Sequence, residues 1–119
     1  MYPNIADAGD HLANTRSTTG TIITVPAGRY YSGTISMSAT VAVAGASNPV
    51  VVVNGTDAAP AAGTVLCRLN LAGLALSTIS DTISTEFQVY ASGGNDITLD
   101  FTAGANGTSS ASVNGFVFG

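Results

Sequence analysis

The chain has 119 residues, enough for one domain with a single hydrophobic core and too few for two ordinary ones. Apolar residues make up 45 % of it and charged residues only 8 %, with a net charge of −4; an average globular domain is roughly a quarter charged. Its cations are Arg16, Arg29 and Arg68, with no lysine, which excludes a surface that tracks nucleic-acid phosphates and a basic helix lying on a membrane.

A surface with so little charge must be covered by Ser, Thr, Asn, Gly and Ala. Docking a partner on it strips few ions of water, while a free monomer has weak colloidal protection. A homo-oligomer or a docked subunit is therefore expected. The start, Met1-Tyr2-Pro3-Asn4, has neither the basic stretch nor the apolar run of a secretory signal, so synthesis in a cytoplasm is expected. No stretch reaches the roughly 18 apolar residues of a membrane helix.

In chain order, residues 1–20 read as an N-terminal arm and 21–119 as a β-sandwich domain. Ile5, Ala8 and Leu12 fall at helical spacing behind a possible Asn4 cap, but Gly9 weakens a helix, so a short helical turn and an extended arm both stay open. Asp7, Asp10, His11 and Arg16 add charge to this segment. Tyr2, Ile5 and Leu12 need cover, which a neighbouring subunit or a larger shell can supply, the alternative being that the segment closes one end of the same chain's barrel; Arg16 joins them as a partner-binding candidate.

From Thr21 the pattern is β. Thr21 to Val25 is β-branched throughout and stops at the turn Pro26-Ala27-Gly28. Gly33 to Val43 alternates, with Ile35, Met37, Ala39, Val41 and Val43 on one face and Ser and Thr dominating the other. The continuous apolar run Val50 to Val53 reads as a strand buried on both faces, and Thr56 to Gly63 as the longest loop. Leu69, Leu71, Leu74 and Leu76 suit a strand or a short helix. Phe87 and Val89 lie opposite Gln88 and Tyr90. Ser92-Gly93-Gly94-Asn95-Asp96 reads as a hairpin turn, leading into Ile97, Leu99, Phe101 and Ala103 on one face. After a loop from Ala103 to Ser110 comes a last strand, Ala111 to Phe118. About eight short strands with turn signals between them predict an all-β fold, an antiparallel β-sandwich of jelly-roll type. Phe87, Val89, Leu99, Phe101 and Val41 are expected in one core.

Chemistry has few places to reside. His11 is the chain's single histidine, so Asp10-His11 lacks the nucleophile motif of a triad and no site with two imidazoles can form. Asp57, Asp81, Glu86, Asp96 and Asp100 are scattered, and a glycosidase needs two facing carboxyls in a sugar-lined cleft. Asn95, Asp96 and Asp100 are oxygen ligands suited to calcium, but turn formation accounts for them equally. Asn54-Gly55-Thr56 and Asn106-Gly107-Thr108 match a glycosylation acceptor, yet Asn-Gly is also a turn dipeptide. Cys67, the one cysteine, sits in an apolar run and reads as a buried thiol. No catalytic residue, cofactor site or metal site is expected, and the chain reads as a non-enzyme. Tyr30 and Tyr31 are neighbours in a strand, so one packs inward and the other stays available to a partner. Arg29 beside the exposed tyrosine is the best interface anchor, with a solvated arginine at the edge of the core as the alternative.

The stretch Ile22-Ile23-Thr24-Val25-Pro26-Ala27-Gly28-Arg29-Tyr30-Tyr31-Ser32-Gly33-Thr34-Ile35 resembles the small β-sandwich virion proteins of tailed bacteriophages, in particular decoration, cement and fibre proteins. The likeness extends as a style to the aromatic last strand, Phe116-Val117-Phe118. It implies a jelly-roll subunit, often trimeric, on the outside of a phage head, bound to the major capsid protein and reinforcing the shell. A fibre, spike or receptor-binding β-domain is the next expectation. A bacterial carbohydrate-binding or adhesion module follows, reduced by the absence of tryptophan.

Overall fold

A computed structural model describes residues 10–41, 48–70, 79–104 and 107–119, with positions 41 and 79 described by backbone alone. Tyr2, Ile5, Val43 and Leu71, Leu74 and Leu76 lie outside the described residues, as does the side chain of Val41. Strands account for 71 % of the structure and no helix is present among the described residues.

Among the described residues nine strands follow one another: β1 (Asp10–Arg16), β2 (Gly20–Val25), β3 (Tyr30–Val41), β4 (Val50–Asn54), β5 (Ala58–Ala59), β6 (Val65–Arg68), β7 (Ile79–Ala91), β8 (Ile97–Thr102) and β9 (Gly107–Phe118). The odd strands form a five-stranded sheet in the order β1-β9-β3-β7-β5, and the even strands a four-stranded sheet in the order β2-β8-β4-β6. Described neighbours all pair antiparallel. The two sheets pack face to face as a sandwich, an arrangement compatible with a jelly roll. Because odd and even strands segregate, each described strand is followed by one in the opposite sheet, and no two consecutive described strands pair.

That topology corrects the reading of Ser92 to Asp96. The turn does not fold β8 back onto β7; it carries the chain across the sandwich. Its brace comes from far away in sequence. The Asp57 carboxylate accepts the Asn95 backbone N–H at 2.8 Å and its side-chain amide at 3.0 Å, while Ser92 N–H donates to the Asp57 carbonyl at 2.8 Å. The expected loop around Asp57 also contains β5, whose two residues pair with Tyr90 and Ala91.

The arm is corrected over residues 10–16. They form β1 and pair with β9 from Asp10 opposite Val117 to Arg16 opposite Ala111. This strand carries one large apolar side chain, Leu12, half-buried against the core, so little alternation marks it in the sequence. Backbone pairing and the Asn14 side-chain amide, which donates to the Ile22 carbonyl at 2.9 Å, hold it instead. The last strand is also longer than expected, starting at Gly107.

Between the sheets lie Tyr31, Ile35, Met37, Val51, Val53, Val89, Ile97, Leu99, Phe101 and Val113, each at most 2 % exposed. Phe87 packs against this core half-buried. Cys67 is buried, its thiol pushed to a higher pKa by desolvation. Val50 and Val52 are only half-buried: they point away from the core, where Arg68 and Val65 pair beside them, which corrects the expectation of a strand covered on both faces. One glycine pair shapes the five-stranded sheet. Gly33 and Gly115 face each other across β3 and β9, and a Cβ on Gly115 would run into the Ser32 carbonyl while one on Gly33 would run into that of Asn114. Two side chains there would force the strands apart.

Candidate functional site: the outer face of the five-stranded sheet

Alternation sends every second residue of β3, β7, β9 and β1 away from the core, and the register lines these residues up in rows. At one end Tyr90, Tyr30 and Phe118 share a row. The next holds Gln88, Ser32, Phe116 and His11, and the third Glu86, Thr34, Asn114 and Ala13. From there the face carries hydroxyls only: Ser84, Ser36, Ser112 and Thr15, then Thr82, Ser38 and Ser110, then Ser80, Thr40 and Thr108.

The aromatic end is open to solvent. Tyr30 is 46 % exposed and Phe116 48 %, two of the three large exposed hydrophobics among the described residues. The Tyr30 and Tyr90 rings stack with centroids 4.0 Å apart and planes 7° apart. The His11 ring lies tilted on Phe116 at 5.3 Å, and its Nε2 is 2.7 Å from the Asn114 side-chain oxygen. Along the hydroxyl rows, neighbouring side chains bond across strands: Thr15 to Ser112 at 2.6 Å, Thr40 to Ser80 at 2.8 Å and Ser38 to Ser110 at 3.1 Å. These bonds spend part of each hydroxyl's capacity and leave the rest free, since a hydroxyl both donates and accepts. Among the outward-facing residues described on this sheet, Glu86 is the single carboxylate and no arginine is present.

The partner-binding candidates separate. Tyr30 lies on this face, whereas Tyr31 is fully buried, stacked on Phe87 at 5.6 Å, with its hydroxyl donating to the Leu12 carbonyl at 2.6 Å. Desolvation pushes the Tyr31 phenol up to about 12. Leu12 belongs to the core side of β1, not to a free arm. Arg16 turns back on its own chain, donating to the carbonyls of Thr18 at 2.8 Å and Thr19 at 3.1 Å, which closes the β1–β2 turn. Arg29 is half-buried where β3 begins, behind the turn that Gly28 permits with its φ of +76°, and its Nε has no hydrogen-bond partner among the described residues. Tyr2 and Ile5 lie outside the described residues.

Tyr90, Phe116, Phe118 and His11 were not singled out from sequence as members of a site. Tyr90, Phe116 and Phe118 fall on the polar side of alternating strands, and that parity marks them as outward-facing. Their convergence on Tyr30 depends on β7 and β9 flanking β3, which nothing local reveals.

The candidates for other chemistry also come apart. Asp96 accepts the Ala27 backbone N–H at 2.9 Å, whereas Asp100 accepts from Thr21 at 2.7 Å, Asn54 at 2.6 Å and Thr98 at 3.2 Å. Asn95 turns to Asp57, so the three oxygen ligands considered for calcium each serve separate structural bonds. Among the described residues no three His, Cys, Asp or Glu side chains gather as a metal site. No protein-family model, curated protein or solved structure matches the chain.

Proposed function

We propose that this chain is a structural virion protein of a tailed bacteriophage, a jelly-roll decoration or cement subunit that binds the outside of the head and stabilises the shell. The observation that supports this reading is the outer face of the five-stranded sheet, wide, lined by hydroxyls, aromatic at one end and with Glu86 as its single carboxylate among the described residues. Covering such a face removes few charges from water, so protein can dock on it at low desolvation cost. A subunit of this kind needs no reaction centre. It needs a rigid body with surfaces that tolerate permanent contact, and repeated modest contacts over a symmetric shell add up through multivalency.

The test is addition of purified protein to phage heads stripped of accessory proteins, followed by cosedimentation and a count of bound copies. Saturation at a copy number comparable to the major capsid protein supports decoration. Saturation at a few dozen copies or fewer moves the role to a fibre or spike. Absence of binding to heads overturns both.

A further inference from the structure

We infer that the outer face of the five-stranded sheet is an interface between copies of this chain, packed with their strands parallel so that aromatic ends meet. This rests on the reading of the chain as an assembly subunit and names the partner of that face. Area comes first. The long strands β3, β7 and β9 and the shorter β1, about 4.8 Å apart and rising about 3.3 Å per residue, present roughly 700 Å², close to the roughly 800 Å² that one partner contributes to a stable protein interface.

Self-complementarity comes second. A face that meets its own copy must accept its own chemistry. Carboxylates or amines repel themselves, whereas a hydroxyl donates to and accepts from another hydroxyl equally well. The rows around Ser36, Ser38 and Thr40 are therefore compatible with themselves, and Glu86 sits on the β7 flank, away from Phe116 and His11. Cross-strand bonds already hold several of these hydroxyls in place, so docking costs little further rotamer freedom.

Polarity of the face comes third and sets the orientation. The exposed rings of Tyr30 and Phe116 lie at one end, the bare hydroxyls at the other. Copies with antiparallel strands would lay rings on hydroxyls. Copies related by an axis along the strands bury ring against ring, the arrangement that removes the most apolar surface from water.

Sedimentation equilibrium of the full chain and of Ser36→Arg and Phe116→Ser, each checked for an unchanged far-UV spectrum, tests the interface. The wild type should have an oligomer mass at micromolar concentration, and both variants should associate at least tenfold more weakly. Orientation is read with a short bis-maleimide on Ser32→Cys and Thr40→Cys proteins, Cys67 being buried. Parallel packing gives 32–32 and 40–40 links in the separate proteins and few 32–40 links in a mixture. A monomeric wild type, variants with wild-type mass, or predominant 32–40 links would each overturn the inference. Should Ser36→Arg fail to fold, Phe116→Ser and the crosslinks decide it alone. A monomer that still saturates phage heads sinks this interface and leaves the decoration role standing; an oligomer that ignores heads does the reverse.

Discussion

The Tyr31 hydroxyl reaches across β9 and donates to the Leu12 carbonyl on β1 at 2.6 Å. One side chain thereby ties the third strand to the first within the same sheet. Gly115, the β9 residue opposite Leu12, has no side chain to stand between them. Tyr31→Phe keeps the ring and its stacking on Phe87 but deprives a shielded carbonyl of its donor. We expect a loss of about 1–3 kcal/mol in urea unfolding with the fold retained.

The same hydroxyl makes stability depend on alkaline pH. Its pKa in the folded protein is about 12 against an ordinary 10, so the folded state holds the proton more tightly. That contribution is complete below pH 10 and is lost as pH rises from 10 toward 12. Wild type and Tyr31→Phe should therefore converge in stability across that window. Parallel curves would place the alkaline sensitivity elsewhere.

Gly115→Ala and Gly94→Ala separate close packing from mere loss of a glycine. A Cβ at Gly115 meets the β3 backbone, whereas nothing lies within 4 Å of one at Gly94. The first should cost about 1–3 kcal/mol or more as β3 and β9 are pushed apart, and the second should stay within about 0.5 kcal/mol of wild type. Thermal melts of the two variants side by side check this.

Phe101 is 1 % exposed in the middle of the core, while Phe87 at its margin is only half-buried. Phe101→Ala should cost about 3–5 kcal/mol as a cavity mutant, and Phe87→Ala clearly less. Equal losses in denaturant unfolding would mean that the margin is packed as tightly as the centre.

Folding should be slow for the length. Since no two consecutive strands among the described residues pair, each described ladder waits for chain segments far apart in sequence to meet, and loop-closure entropy is lost before contacts reward it. Stopped-flow refolding should give times of milliseconds to seconds, and a microsecond phase carrying the full amplitude would contradict this.

Ile35, Met37 and Ala39 against Ser36, Ser38 and Thr40 were legible from sequence, because a period of two assigns opposite faces to alternate residues in any sheet. By the same logic Tyr90, Phe116 and Phe118 are outward-facing before any neighbour is known. Composition, too, announces a surface of hydroxyls and little charge. Which strands stand side by side was not legible. Ser92 to Asp96 has the chemistry of a tight turn, and that chemistry is the same whether the next strand folds back or crosses to the other sheet. Asp57, far upstream, supplies the brace for the turn that crosses. Nor did β1 stand out, since its place is held by backbone bonds to β9 that almost any side chains permit. Local sequence determined the two faces of the strands that alternate, as in β3 and β8. Only the tertiary structure, through pairings between distant segments, decided that Tyr30, Tyr90 and Phe116 share one end of one face.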